Sequence, residues 1–153
     1  MDINIMIRNP SEQLEAYLDG QGLKSTRQRD EILRIFLDAG HHVSADELYR
    51  LARKSMPGIG YATVYRTLRL FTEAGIAHER HFDDGLTRYE PHAKDTHHDH
   101  LICLRCGTII EFENEQIEKL QSDVARRHRF AVQNHKLELY GLCESCQPKK
   151  RKS

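Results

Sequence analysis

Apolar positions recur at helical spacing through the first half of the chain. Over residues 11–21, Leu14, Tyr17 and Leu18 share one face, which predicts a first helix. Gly22 follows, and Ser25 or Thr26 can cap a second helix over 26–39 whose Ile32, Leu33, Phe36 and Leu37 turn inward. Ser44-Ala45-Asp46-Glu47 is a capping box that opens a third helix over 45–55, with Leu48 and Leu51 apolar. Met56-Pro57-Gly58-Ile59-Gly60 breaks the pattern. A fourth helix is expected from about Ala62 to Ala74, where Gly75 ends it as a left-handed cap.

At Ile76 the period changes. Residues 76–82 read as extended, Asp83-Asp84-Gly85 as a hairpin turn and 86–90 as the returning strand. Helices followed by a two-stranded hairpin give the order of a winged helix. Residues 91–96 are polar and read as a hinge. The second half reads as strand (98–104), cysteine turn, strand (108–112), helix (115–128), strand (131–141) and a second cysteine turn. The expectation is an α+β chain of two domains: a winged-helix domain over 1–90 with its hinge at 91–96, and an α/β domain over 97–153.

Composition narrows the class. A second domain of about sixty residues is near the lower limit for an independent core, so a metal staple or a partner is expected there. With 39% hydrophobic and 30% charged residues the chain reads as globular. No run approaches the roughly 20 apolar residues that span a bilayer, and no secretory pattern opens the chain, so a cytoplasmic location is expected. The 23 basic and 23 acidic residues cancel, which argues against nucleic-acid binding unless the charge is segregated locally. The closing Pro148-to-Ser153 run reads as a solvated basic end.

Cysteine and histidine carry the candidate chemistry. Cys103-Leu104-Arg105-Cys106 and Cys143-Glu144-Ser145-Cys146 are two C-x-x-C turns, which supply the four thiolates of a tetrahedral zinc site. Four cysteines leave zinc no open position, so this centre is expected to be structural. His97-His98-Asp99-His100 is the second signal. On a strand, alternation puts His98 and His100 on one face and His97 and Asp99 on the other, so one tetrapeptide can seed two metal sites. Glu111, Glu118 and His135 are candidate completing ligands. A zinc hydrolase or deaminase is disfavoured: it needs an open zinc position and an H-x-E general acid/base, and neither accompanies these cysteines.

The third signal is Tyr61-Ala62-Thr63-Val64-Tyr65-Arg66-Thr67-Leu68. Val64, Leu68 and Phe71 point to a core, which leaves Tyr61, Thr63, Tyr65, Arg66 and Arg69 to meet DNA. Small and aromatic side chains suit thymine methyls, and arginine suits guanine edges or phosphates.

Taken in order, GIGYATVYRTLRLFTEAGI, the wing ending RYE, HHDHLICLRCG, IIEF and LYGLCESC resemble the ferric uptake regulator family from about residue 20 to 146. The resemblance implies an amino-terminal winged helix and a carboxyl-terminal dimerisation domain. It implies Cys103, Cys106, Cys143 and Cys146 as structural zinc ligands. It implies His42, Glu90, His98, His100 and Glu111 as a regulatory site between the domains, and His97, Asp99, Glu118 and His135 as a further site within the dimerisation domain. The corepressor implied is Fe2+, with Mn2+, Co2+ or Zn2+ as substitutes. The partners implied are double-stranded DNA carrying an AT-rich inverted repeat and a second copy of the chain, as a dimer or a pair of dimers. Peroxide-sensing relatives are similar but carry aspartate where Glu111 stands. Zinc-sensing relatives commonly add a sensory cysteine, and none is left over here.

Overall fold

In a computed structural model, described for residues 9–40, 42–92 and 98–149, the chain divides into two units, 1–94 and 95–153. The first unit contains α1 (Pro10–Gly20), α2 (Arg27–Ala39), α3 (Ala45–Ser55), α4 (Tyr61–Glu73), β1 (Ala77–His81) and β2 (Thr87–Pro91). Local chemistry sets these boundaries. Thr26 Oγ1 accepts from the Arg29 N–H at 3.2 Å and Ser44 Oγ from the Glu47 N–H at 3.1 Å, satisfying donors that a helix start leaves open. At the end of α4 the Ile76 N–H reaches the Phe71 carbonyl and the Gly75 N–H reaches that of Thr72. This paired closure needs a left-handed residue, and Gly75 supplies it with φ +75°.

The core of this unit is assembled from every one of its helices. Leu14 and Leu18 of α1, Ile32 and Phe36 of α2, Leu48 of α3 and Val64, Leu68 and Phe71 of α4 are buried together. The rings of Phe36 and Phe71 lie 5.9 Å apart. α1 is pinned to the end of α4 by Gln13 Nε2 donating to the Ala74 carbonyl and the Tyr17 hydroxyl donating to Glu73.

β1 and β2 pair antiparallel, with His78 opposite Glu90, and Val43 adds an isolated bridge to Tyr89 on the far side of β2. That bridge sets His42 next to Glu90. The hairpin outlasts the expected strand, because Pro91 pairs with Ala77 and the His92 N–H bonds to the Ile76 carbonyl. Pro91 lacks an N–H and sits at the last strand position, where the ladder can spare a donor.

The second unit contains β3 (Asp99–Cys103), β4 (Ile109–Phe112), α5 (Glu115–Arg127), β5 (Glu138–Gly141) and a short 3-10 turn at Glu144–Cys146. β3 is the central strand, antiparallel to β4 and parallel to β5. A parallel return needs a crossover, and α5 provides it. The strand expected over 131–141 is cut to Glu138–Gly141. β5 pairs with His100–Cys103, and the last rung is the His100 N–H on the Leu137 carbonyl.

Candidate metal centres and nucleic-acid face

The four cysteines converge at one end of the sheet. Cys103 closes β3, Cys106 follows in a turn completed by the Gly107 N–H on the Cys103 carbonyl, and after β5 Cys143 precedes the short 3-10 turn that Cys146 ends. Their sulfurs all lie within 4.8 Å of one another, with Cys106 and Cys143 at 3.7 Å. A tetrahedral zinc with bonds of about 2.3 Å separates its sulfurs by about 3.8 Å, so the donor set fits that ion.

The thiols themselves titrate apart. Backbone N–H groups of Cys106 and Cys143 aim at Cys103 and bring it down to about 6. The side chain of Ser145 holds Cys143 low as well. Cys146 is pushed up to about 12, because it hydrogen-bonds to Cys143 beside the other sulfurs. Four thiolates cannot share this space without a cation, and a divalent metal removes the conflict.

The second cluster lies behind β3. Asp99 is fully buried, His135 Nε2 stands 3.8 Å from its Oδ1, and the same nitrogen is 3.5 Å from Glu118 Oε1. One donor atom from each of Asp99, Glu118 and His135 falls within 4.8 Å of the others. Two carboxylates around one imidazole at that spacing suit a divalent ion with nitrogen and oxygen preference. His135 stands outside the strands, before β5, where a strand position was expected. His97 lies outside the described residues.

The opposite face of β3 carries the other histidines. His100 pairs in register with Glu111 of β4, and His98 Nε2 is 3.9 Å from Glu111 Oε2. In the first unit, His42 Nε2 lies 2.7 Å from Glu90 Oε2, and Arg80 donates to the other oxygen at 2.6 Å. Burial works against the charged form of Glu90. The hydrogen bonds from His42 and Arg80 outweigh it and hold the carboxyl at about 2. Glu90 is therefore an anion near neutral pH, as a metal ligand must be.

On α4, Val64, Thr67, Leu68 and Phe71 are buried while Tyr61, Tyr65, Arg66 and Arg69 are exposed and Thr63 is half-buried. This separates the residues expected to meet DNA from those of the core. Tyr61 and Tyr65 stack with ring centroids 6.4 Å apart, and Tyr49 of α3 meets Tyr61 edge-on at 5.6 Å. Arg53 sits over Tyr49 at 5.7 Å. Tyr49 and Arg53 were missed from sequence, since an aromatic and a cation on a preceding helix signal nothing until α3 packs beside α4. Arg53 and Lys54 of α3 and Arg66 and Arg69 of α4 are exposed cations, although the whole chain is neutral by count.

The chain is similar to known proteins over most of its length. Residues 20–140 match the model of the ferric uptake regulator family. A ferric uptake regulation protein of Yersinia pestis is 46% identical over 129 residues, which is 84% of this chain and 86% of that protein. Among solved structures, a zinc-bound manganese uptake regulator aligns with a TM-score of 0.75 at 45% identity, covering 86% of this chain and 98% of that one. The Helicobacter pylori ferric uptake regulator, described as having three functional metal-binding sites, aligns with a TM-score of 0.76 at 29% identity, covering 94% and 97%. No helix among the described residues is long and apolar enough to cross a membrane. Family members are DNA-binding, metal-binding transcription regulators that act as dimers, not enzymes. By the extent of these matches, the chain belongs to the ferric uptake regulator family.

Proposed function

We propose that this protein is an Fe(II)-responsive dimeric repressor, cytoplasmic, that binds AT-rich inverted repeats in promoters of iron-homeostasis genes. The observation that carries the reading is the division of nitrogen and oxygen donors between the two units. His42 and Glu90 are held together in the first, and His98, His100 and Glu111 share one side of the β3–β4 pair in the second. A metal that takes ligands from both fixes the orientation of each DNA-binding unit in the dimer. Recognition helices must then match major grooves about 34–36 Å apart, so metal acts by favouring the DNA-competent state.

The cysteine site takes structural zinc, and the site of Asp99, Glu118 and His135, with His97, takes a further ion. The dimer partner covers the open apolar groove lined by Leu120, Val124, Ala125, Phe130 and Val132. Glu111 favours an iron-responsive over a peroxide-responsive role, and the commitment of every cysteine to one cluster disfavours zinc sensing. Manganese is the second reading, favoured by the 45% identity to a manganese uptake regulator.

The test is anaerobic fluorescence anisotropy with an AT-rich inverted-repeat duplex, titrating Fe(II), Mn(II) and Zn(II) in turn on zinc-loaded protein. Tight binding with Fe(II) that a mild chelator reverses is the expected result. A response to Mn(II) alone moves the protein to the manganese reading, and one to Zn(II) alone to zinc sensing. Binding indifferent to all three overturns metal control. The pair His98→Ala and His100→Ala is expected to abolish the metal response and leave a folded dimer.

A further inference from the structure

At the open end of the wing two imidazoles meet that belong to none of these sites. His78 lies on β1 opposite Glu90, and His92 follows β2 with its N–H bonded to the Ile76 carbonyl at 2.7 Å. The ladder thus runs one step past Pro91, and the strand period of two places His78, Glu90 and His92 on one face. Nδ1 of His92 and Nε2 of His78 are in direct contact. Their ring centroids are 4.1 Å apart with the planes inclined at 52°, and both residues are exposed. Glu90 is committed to His42 and Arg80.

Two ring nitrogens brought to one point from two strands form a chelate for a borderline cation. At metal–nitrogen bonds of about 2.0–2.1 Å, two ligands of a tetrahedral centre stand about 3.3 Å apart. Exposed imidazoles reach that span by a small rotation about χ2, a soft torsion. We propose that His78 and His92 form a separate metal site for a borderline divalent ion of the Ni2+, Co2+ or Zn2+ class, with water completing the shell. Paired imidazoles without a carboxylate select against Mn2+ and Mg2+, which prefer oxygen. With two protein ligands and open solvent, the site fills after those with more ligands, when metal is in excess. An ion held there ties β1 to the residue that follows β2. The proposal does not depend on which metal controls DNA binding.

Equilibrium dialysis of the zinc-loaded, full-length dimer against NiCl2, and separately MnCl2, with metal counted by mass spectrometry, tests it. His78→Gln and His92→Gln are each expected to weaken one Ni2+ equivalent per chain by at least about 10-fold, as loss of one of two ligands requires. Mn2+ uptake and cysteine-bound zinc should be unchanged. A Ni2+ isotherm that neither variant alters overturns the proposal, leaving a plain hydrogen bond between the rings. Equal losses of Ni2+ and Mn2+ overturn it as well, since the rings would then serve the neighbouring site at Glu90.

Discussion

Phe36 and Phe71 face each other inside the first unit with neither exposed, whereas no residue of α5 in the second unit is buried. The contrast extends to whole units. The described hydrophobic cluster is drawn entirely from residues 14–89. In the second unit Ile102 and Cys103 are buried alongside two polar groups, Asp99 and His100. Leu120 is 65% exposed and Phe130 68%. One unit is held by apolar burial within its own chain. The other, at about sixty residues, buries little apolar surface of its own, so support from bound metal and a second copy is expected there.

The strongest way to break this comparison is to remove the zinc. Cys103→Ser leaves three thiols that cannot saturate the ion, and structural zinc is worth roughly 10 kcal/mol or more in small folds. The second unit should lose its structure while the first keeps its core. Far-UV circular dichroism should show partial loss, with a residual cooperative transition from the helical unit. Full retention of ellipticity would mean that the sheet and α5 stand without metal. A smaller expected effect comes from the apolar groove. Leu120→Lys with Phe130→Lys should weaken dimerisation roughly 1000-fold, about 4 kcal/mol for two central anchors. Analytical ultracentrifugation reads this directly, and an unchanged dimer would put the interface elsewhere.

The two units also differed in how far their sequences could be read. In the first, helix starts at Thr26 and Ser44 and the stop at Gly75 are written in local residue types, and the structure places them within a residue or two. In the second, a strand was expected over 131–141, but residues 131–137 (Ala131-Val132-Gln133-Asn134-His135-Lys136-Leu137) lack strand alternation and are not in one. Strand formation needs a neighbour, and among the described residues β3 pairs with Glu138–Gly141. The cysteine cluster and the opposite faces of His98 and Asp99 were legible because spacing and strand period are local. Tyr49 beside Tyr61, and His78 against His92, were not, because no spacing motif marks either pair before the elements that carry them pack together.

The wing offers a sharper probe of the self-sufficient unit. Arg88 and Asp84 form a nearly buried ion pair at 2.7 Å, and Arg88 also lies over the Phe82 ring. Burial raises the carboxyl of Asp84, but the Arg88 hydrogen bond and the Leu86 N–H outweigh this and set it below its ordinary 3.8. Arg88→Met strands a buried carboxylate and should cost about 3 kcal/mol at neutral pH, read by urea denaturation. A depressed carboxyl contributes stability above its unfolded value and loses it as pH falls through the folded one. The gap between wild type and Arg88→Met should therefore narrow below pH 3.8, as Asp84 takes up its proton. A gap independent of acid would assign the cost to lost packing on Phe82.

The smallest expected effect comes from a motif that both units share. α1 and α4 end with paired backbone bonds around a left-handed glycine, Gly22 at φ +68° and Gly75 at φ +75°. α5 ends the same way, with the Phe130 N–H on the Ala125 carbonyl and the Arg129 N–H on that of Arg126. Here the left-handed residue is Arg129, at φ +52°. A side chain in that region costs roughly 1–2 kcal/mol, and glycine recovers it less the entropy it surrenders on folding, roughly 0.5–1 kcal/mol. Arg129→Gly should therefore stabilise the second unit by about 0.5 kcal/mol and leave the first unchanged. Separate monitoring of the two transitions in zinc-loaded protein would show the gain confined to one of them. A loss of stability instead would mean that the Arg129 side chain makes contacts in the dimer that outweigh its backbone strain.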